Sequence, residues 1–275
     1  MCVLSVVMTT FNENLPFLKA CIESILNQTY KDFEFVVVIE PNERNEDFLL
    51  NIAKSDSRAT IIKNEKKIGI AESRNRAIRA SMGEYIAIMD SDDYCDVARF
   101  EKQLRFLKDN PDISVVGSNM FLVDSNDHVI GQRRYPKLHN DIKRYFLQTM
   151  SIANPSVMTR RKDFDEVGFF NAQFPKAEDL ELWLRFLVHK KKMYNLQENL
   201  VYFRVPNEEV KKRGPKHYKY NYIARKKYSK FIWPFYERFL SLIGYFLISH
   251  APAIVIKSIL NHTISNKIKS VEINQ

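Results

Sequence analysis

Strand-like and helix-like patterns of apolar residues alternate along the N-terminal part of the chain. Near-continuous apolar runs predict β-strands at residues 4–10, 33–39, 60–63 and 85–89. Apolar residues at helical spacing predict helices between and after these strands, at residues 15–27, 48–53, 71–82 and 97–108. Alternating strands and helices are typical of an α/β protein with a parallel, doubly wound sheet.

The pattern is looser after Pro111. Short strands are predicted at residues 113–116, 121–123 and 200–204, a polar turn at 124–128, and helices at 141–149 and 180–189. The polar and charged segment from Pro206 to Pro215 is the candidate linker to a C-terminal tail. We therefore expect an α/β domain over residues 1–205 and a separate tail over residues 206–275.

The composition is that of a globular protein with a sizeable core. The chain has 275 residues, of which 45% are hydrophobic, and such a core needs no disulfides. The cysteines, Cys2, Cys21 and Cys95, form no C-x-x-C motif, and the six histidines form no H-x-x-x-H motif. This argues against a disulfide framework or a zinc site and favours a reducing compartment. Residues 1–8 lack a basic n-region and a cleavage site, so we expect no signal peptide.

Three carboxylates, Asp90, Asp92 and Asp93, follow the apolar run at residues 85–89. Ligands of open α/β sheets bind at the carboxyl ends of the strands. Acids this close repel one another unless a cation or hydrogen-bond donors hold them. Mg²⁺ and Mn²⁺ prefer oxygen ligands and often complete their coordination with phosphate oxygens. The pattern indicates a site for a metal and a diphosphate. The alternative is an acidic loop that caps the next helix.

The first strand–helix junction has the sequence Thr9-Thr10-Phe11-Asn12-Glu13. It is not the G-x-G-x-x-G fingerprint of a dinucleotide-binding site. It also lacks the Gly-rich, Lys/Arg-containing phosphate loop that is expected of a nucleotidyltransferase. Nucleotidyltransferases are the closest alternative class of enzyme with an acidic metal site on such a sheet.

Five sequence blocks, in the same order along the chain, resemble the family-2 inverting glycosyltransferases of the GT-A fold. They are SVVMTTFN at 5–12, SILNQTYKDFE at 24–34, GIAESRN at 69–75, GEYIAIMDSDD at 83–93, and AEDLELWLR at 177–185. The resemblance implies a Rossmann-like, mostly parallel central sheet flanked by helices. It also implies a nucleotide-sugar half at about residues 1–117 and an acceptor half at 118–205.

The resemblance implies transfer of a hexosyl or N-acetylhexosaminyl group from a nucleotide-diphosphate donor, commonly a UDP-sugar. The acceptor would be a hydroxyl of a glycan or of a lipid-linked acceptor, in surface polysaccharide or lipopolysaccharide synthesis. The reaction would be a single displacement assisted by Mn²⁺ or Mg²⁺. In this scheme Asp179 is the general base, Asp92 the direct metal ligand, and Asp90 a ribose or metal contact. The expected donor-binding residues are Thr9, Phe11, Glu13, Glu40, Arg74, Asp90, Ser91 and Asp92, and those on the acceptor side are Glu178 and Trp183.

Several of these residues also have a structural interpretation. Acids in the first turn of a helix, as at Glu178 and Asp179, can serve as caps. Phe11 and Trp183 can be core residues, Arg74 a solvated helix residue, Asp93 a cap for the following helix, and Asn75 a loop brace. Glu40 departs from the family pattern, since it stands where an aspartate that reads the base is expected. A glutamate can accept a hydrogen bond from uracil, but its extra methylene shifts the geometry.

The net charge of +9 is concentrated in one segment, because residues 211–230 contain nine basic residues and no acid. An uncharged, largely apolar stretch follows at residues 239–256. This combination favours a monotopic helix on an anionic membrane surface, which would place the protein in the cytoplasm, peripherally on the inner face of the cell membrane. The alternatives are a helix that spans the membrane, for which the stretch is barely long enough, a helical subdomain packed on the body of the protein, and packing against a second copy in a homodimer.

A rival from another class is a non-catalytic module that binds membrane or RNA. The basic segment is interleaved with tyrosines, which suits RNA, but it contains no recognisable RNA-binding motif. We therefore expect no nucleic-acid partner.

Overall fold

A computed structural model describes residues 3–205 and 215–251 of the chain. The N-terminal elements are β1 (Leu4–Thr10), α1 (Leu15–Leu26), β2 (Phe33–Ile39), α2 (Glu46–Ser55), β3 (Ala59–Lys63), α3 (Ile70–Ala80) and β4 (Tyr85–Asp90). The elements that follow are β5 (Tyr94–Cys95), α4 (Arg99–Asp109), β6 (Ile113–Val123), β7 (Val129–Arg133), α5 (His139–Tyr145), β8 (Met158–Arg160), α6 (Arg161–Val167), α7 (Glu178–Val188) and β9 (Lys192–Arg204). Two C-terminal helices, α8 (Pro215–Ile232) and α9 (Phe235–His250), complete the described part.

The strands of the described residues form a single sheet in the order β3-β2-β1-β4-β8-β6-β9-β5, with β7 paired to β6. The first four strands are parallel, as the alternating pattern predicts. The sheet is mixed beyond β4, because β8 runs antiparallel to both β4 and β6. The expected α/β fold is confirmed, and the parallel part brings the carboxyl ends of β1, β2 and β4 to one edge.

Strand β6 is continuous from Ile113 to Val123, where the sequence predicts two short strands. The polar and small residues Gly117, Ser118 and Asn119 interrupt its apolar pattern, yet they are buried within the strand. A Cβ atom at Gly117 would lie 2.4 Å from Asn195 Oδ1 and 2.7 Å from Ile152 Cγ1, so a larger residue here would have to displace these side chains. The expected boundary between the two halves, at residues 117–118, falls inside this strand.

Helix α8 shares the hydrophobic core of the α/β body. Tyr228, Ile232 and Trp233 belong to the same buried cluster as Trp183 of α7. Arg225 is fully buried, and its Nε donates to the carbonyl oxygen of Phe146. The expected helical C-terminal region is present, and its first helix is part of the body rather than a detached element.

Helix α9 lies on the surface of α8 and of the loop after α5. Ser241 Oγ donates to the carbonyl oxygen of Leu147 at 2.5 Å, and Tyr245 Oη donates to that of Gln148 at 2.6 Å. Within residues 3–205 and 215–251, the structure contains no helix with the length and apolarity needed to span a membrane. Most of the predicted linker, the three basic residues at 211–213, and residues 252–275 lie outside the described residues.

Candidate active site

A pocket of about 370 Å³ opens where β1, β2 and β4 end and α3 begins. This position follows from the parallel pairing, since the carboxyl ends of neighbouring strands meet at one edge. All of the expected donor-binding residues line the pocket. The lining residues are Thr9, Thr10, Phe11, Glu13, Glu40, Lys67, Gly69, Ile70, Ser73, Arg74, Asp90, Ser91 and Asp92.

The acidic loop after β4 divides its side chains between the pocket and the protein interior. Asp90 and Asp92 are partly exposed and line the pocket. Asp93 is buried instead, and its Oδ1 accepts a hydrogen bond from the backbone N–H of Arg204 at 2.9 Å. Burial, with the nearby charges of Asp92 and Asp90, raises the pKa of Asp93 well above its usual range. Asp93 therefore ties this loop to β9, and the helix α4 that it was expected to cap begins six residues later.

Arg74 joins the two acidic clusters that the sequence identifies. Its Nη2 lies 2.6 Å from Asp90 Oδ1, and its Nη1 lies 2.8 Å from Glu178 Oε1. The side chain is buried, with its guanidinium 5.4 Å from the centre of the Phe170 ring. Burial lowers the pKa of Arg74, but the attraction of Asp90, Glu178 and Asp179 outweighs this effect and raises it. Arg74 is therefore not the solvated helix residue of the alternative interpretation.

Asn75, the next residue of α3, braces the segment that leads towards α7. Its side chain exchanges two hydrogen bonds of 2.8 Å with the backbone N–H and carbonyl of Phe170. The consecutive residues Arg74 and Asn75 thus hold α3 against the segment that includes Phe170 and against the start of α7.

Glu178 and Asp179 form the first turn of α7. Asp179 is partly exposed, and its Oδ1 accepts a hydrogen bond from the backbone N–H of Leu180 at 2.7 Å. Burial raises the pKa of Asp179, although that hydrogen bond and Arg74 oppose the shift. Burial and the neighbouring Asp179 likewise raise the pKa of Glu178. Asp179 thus satisfies one N–H of the first helical turn and keeps a carboxylate of increased basicity.

Trp183 does not have the expected acceptor-side position. The side chain is fully buried, and its ring meets that of Phe186 edge to face at a centroid distance of 5.3 Å. It belongs to the large apolar cluster beneath α7. A buried aromatic ring contributes more to the free energy of folding than an exposed one. This favours the core position of this tryptophan.

Glu40 is buried, lines the pocket and accepts hydrogen bonds from four groups of the protein. Its oxygens accept from the backbone N–H groups of Ile68 and Gly69, the latter at 2.7 Å, and from the side chains of Asn64 and Ser73 at 3.2 Å. A carboxylate has about four lone-pair sites, and these donors use them. Glu40 therefore anchors the loop between β3 and α3, a role that the strand-end position alone does not reveal.

Phe11 is 43% exposed at the rim of the pocket, so it is not a core residue. The ammonium nitrogen of Lys67 lies 4.4 Å from the centre of its ring. Lys67, on the loop that Glu40 anchors, is a pocket residue that the sequence analysis missed. Its only signal was its place just before the G-x-x-x-x-R-N block. Glu13 also lines the pocket, and its carbonyl oxygen accepts a hydrogen bond from the Asn45 side chain at 2.8 Å.

The two acids on the pocket wall fit a divalent cation whose remaining ligands come from a molecule bound in the pocket. Across the described ranges, the structure contains no group of three or more His, Cys, Asp or Glu residues arranged to hold a metal. Mg²⁺ and Mn²⁺ are commonly bound through one or two carboxylates plus substrate phosphates. Asp92 and Asp90 offer such a pair on the pocket wall.

Comparisons with known proteins identify the family of this chain. Residues 5–168 match the family described as glycosyl transferase family 2. An uncharacterized glycosyltransferase of Methanocaldococcus jannaschii is 31% identical over 94% of this chain and 92% of its own length. The O-antigen biosynthesis glycosyltransferase WbnJ of Escherichia coli is 32% identical over 72% of this chain and 78% of its own.

Two solved structures share the fold. S. aureus TarS 1-349 in complex with UDP-GlcNAc superimposes with a TM-score of 0.69 at 16% identity, over 90% of this chain and 72% of that one. The mannosyltransferase PcManGT from Pyrobaculum calidifontis, in complex with GDP-Man and Mn²⁺, gives 0.66 at 15% identity, over 96% and 75% of the two chains. The chain therefore belongs to glycosyl transferase family 2, has the GT-A fold and is a glycosyltransferase.

Proposed function

We propose that this protein is an inverting glycosyltransferase that moves a hexosyl or N-acetylhexosaminyl group from a UDP-sugar to a hydroxyl of a glycan or lipid-linked acceptor. The observation that carries the proposal is the bridge made by Arg74. It connects Asp90, in the donor pocket, to Glu178, the neighbour of Asp179. One side chain thereby links a residue that we assign to the donor and metal with the neighbour of the residue that we assign as the base.

The donor would occupy the pocket at the carboxyl ends of β1 and β4. The exposed ring of Phe11 offers a stacking face for the base, and Lys67 beside it offers a positive charge. The pocket also includes Gly69 and Ile70, at the N-terminus of α3, where the helix dipole favours a phosphate group. The complex of TarS with UDP-GlcNAc supports a uridine donor.

Asp92 and Asp90 would hold Mn²⁺ or Mg²⁺ together with the diphosphate. The ion would act as a Lewis acid that offsets the charge of the leaving diphosphate. The partial exposure of both carboxylates supports this role, and PcManGT was solved with Mn²⁺.

Asp179 would accept the proton of the acceptor hydroxyl as that oxygen attacks the anomeric carbon. The raised pKa of this carboxylate makes it a stronger base than an ordinary aspartate. A single base and a single displacement invert the anomeric configuration.

The relatives suggest where such a reaction is used. WbnJ takes part in O-antigen synthesis, and a relative from Erwinia amylovora, AmsE, takes part in amylovoran synthesis. We therefore propose that the acceptor is a growing surface polysaccharide or lipopolysaccharide.

A thermal-shift screen tests the donor assignment. The full chain is heated with UDP-, GDP- and dTDP-sugars, each with and without Mn²⁺, because a ligand that binds the native state raises the apparent stability. We expect the largest shift with a UDP-sugar and Mn²⁺ together. A shift with GDP-sugars alone would overturn the uridine assignment. Product analysis by NMR then tests the mechanism, since an α-linked donor must yield a β-linked product.

A further inference from the structure

Helix α9 and the end of α8 expose a series of large apolar side chains. No residue of α9 is buried. Four of its side chains, Phe235, Tyr236, Leu240 and Leu247, are 66%, 71%, 74% and 62% exposed. The full set, which we name the α8–α9 surface, is Phe231, Phe235, Tyr236, Phe239, Leu240, Ile243, Phe246 and Leu247. Contiguous exposed apolar patches mark sites of interaction.

Basic side chains lie directly on the aromatic rings of this surface. Lys230 Nζ is 4.8 Å from the centre of the Phe231 ring, and the Arg238 guanidinium is 5.5 Å from that of Phe235. The ring of Tyr222 meets Phe246 at a centroid distance of 5.6 Å, with Lys226 Nζ 5.7 Å from Tyr222. The cations and the apolar side chains therefore belong to one face.

We propose that the α8–α9 surface binds an anionic membrane surface. Its apolar side chains would enter the boundary of the lipid chains, and its lysines would lie at the level of the lipid phosphates. This attachment would be that of a helix lying in the plane of the membrane surface. The binding itself goes beyond the proposed function and does not depend on it.

Charge favours a membrane over the other possible occupants of this face. Helices α8 and α9 expose Lys216, Lys219, Lys226, Lys227 and Lys230 and contain one acid, Glu237. A second copy of the chain would place cations against cations. Residues 252–275 contain three lysines and one glutamate, so this segment also lacks complementary charge. An anionic bilayer complements both the apolar and the basic side chains.

Hydrogen bonds attach the α8–α9 surface to helix α7 and to the loop after α5. Tyr228 of α8 donates a hydrogen bond to Glu181 of α7, the helix that begins with Glu178 and Asp179. Tyr245 of α9 donates to the carbonyl of Gln148 in the loop after α5. If the proposed function holds, membrane binding brings Asp179 near lipid-linked acceptors; this consequence, unlike the binding, rests on the proposed function.

Vesicle flotation of the full chain tests the proposal. Vesicles of phosphatidylcholine with phosphatidylglycerol are compared with vesicles of phosphatidylcholine alone. We expect at least tenfold tighter binding to the anionic vesicles, weakened when salt is raised from about 0.1 M to about 0.5 M. Phe235→Ser with Leu240→Ser, and separately Lys226→Gln with Lys230→Gln, should each weaken binding about tenfold or more.

The matched control replaces two exposed apolar residues of the α/β body. Met82→Ser with Val129→Ser, at positions 74% and 55% exposed, should bind vesicles as the unaltered chain does. Thermal shifts with nucleotide-sugars are measured on every variant. If a variant gives the same thermal shifts as the unaltered chain, its fold and its donor site are intact. A failure of membrane binding is then distinguished from a failure of the proposed function.

Three outcomes would overturn the proposal. One is binding of the two surface variants with the affinity of the unaltered chain. Another is that the full chain does not bind vesicles and instead forms a dimer, seen by light scattering, while the Phe235→Ser/Leu240→Ser variant is a monomer. The third is a chain ending at residue 251 that binds vesicles although the full chain does not, which would show that residues 252–275 cover this face.

Discussion

Tyr228 donates its phenolic hydrogen bond to Glu181, and this bond joins the C-terminal helix α8 to the helix that carries Asp179. Glu181 is fully buried and also pairs with Arg185 at 2.9 Å. Burial and Glu181 both raise the pKa of Tyr228, so the tyrosine remains a donor throughout the working pH range. The C-terminal region therefore directly supports the helix that begins with Glu178 and Asp179.

Tyr228→Phe removes this donor and leaves the buried carboxylate of Glu181 with one partner fewer. We expect the free energy of unfolding to fall by about 1–3 kcal/mol, since a hydrogen bond to a charged group contributes about that much. Urea denaturation followed by circular dichroism measures it. Tyr220→Phe is the matched control, because Tyr220 is also on α8 and its ring packs against that of Phe174. Equal stability of the two variants would show that the bond contributes nothing.

The Arg74–Glu178 ion pair should be energetically coupled, because it is buried and hydrogen-bonded. In a double-mutant cycle of Arg74→Met and Glu178→Gln, we expect a coupling of about 1–3 kcal/mol in the free energy of unfolding. The control cycle uses Arg79 and Glu72, which lie 2.8 Å apart but are 51% and 39% exposed. That exposed pair should give less than about 1 kcal/mol. Similar values for both cycles would contradict a special role for the bridge.

Asp92→Asn tests the metal site. The amide keeps the shape of the side chain but loses the charge that a divalent cation needs, so we expect Mn²⁺-dependent donor affinity to collapse and transfer to fall at least ~100-fold. Isothermal titration of the UDP-sugar with and without Mn²⁺ measures the affinity. Asp109→Asn, at an exposed position 68% accessible to solvent, is the control. An unchanged metal dependence in Asp92→Asn would eliminate Asp92 as a ligand.

Asp179→Asn tests the base and the pH dependence together. Transfer should fall by at least ~100-fold while donor affinity stays near normal, because the amide cannot accept the proton. In the unaltered enzyme, kcat/KM should fall as the pH drops through the raised pKa of Asp179, above the value of about 3.9 of an ordinary aspartate. The residual kcat/KM of the variant should not show this decrease at acidic pH. If the decrease remains in the variant, another group is the base.

Glu40→Gln distinguishes a loop anchor from a reader of the base. Glutamine replaces one acceptor oxygen by a donor, which would face the N–H of Gly69 or its neighbours. An anchor predicts a loss of stability of about 1–3 kcal/mol and a similar loss of affinity for all nucleotide-sugars. A reader predicts a loss confined to uridine donors. Titration of UDP and GDP in parallel measures which occurs.

The apolar pattern predicted the parallel half of the sheet well, with element ends within two residues of those observed. Buried parallel strands are near-continuous apolar runs, which is a local signal. The short strands β5 and β8, of two and three residues, were not predicted, because so few residues show no recognisable pattern of apolar and polar side chains. Strand β6 was divided at its buried polar residues, since only pairing with its neighbours keeps those residues in the sheet.

The sequence placed acids at the end of β4 and at the start of α7, and basic and apolar residues in the C-terminal region, because these are properties of neighbouring residues. The tertiary structure decided that Trp183 is in the core, that Arg225 is buried and that Glu40 holds a loop. It also decided that Arg74 meets Glu178, 104 positions later in the chain. Contacts of this kind depend on how strands and helices pack across the sheet, and no local pattern encodes that packing.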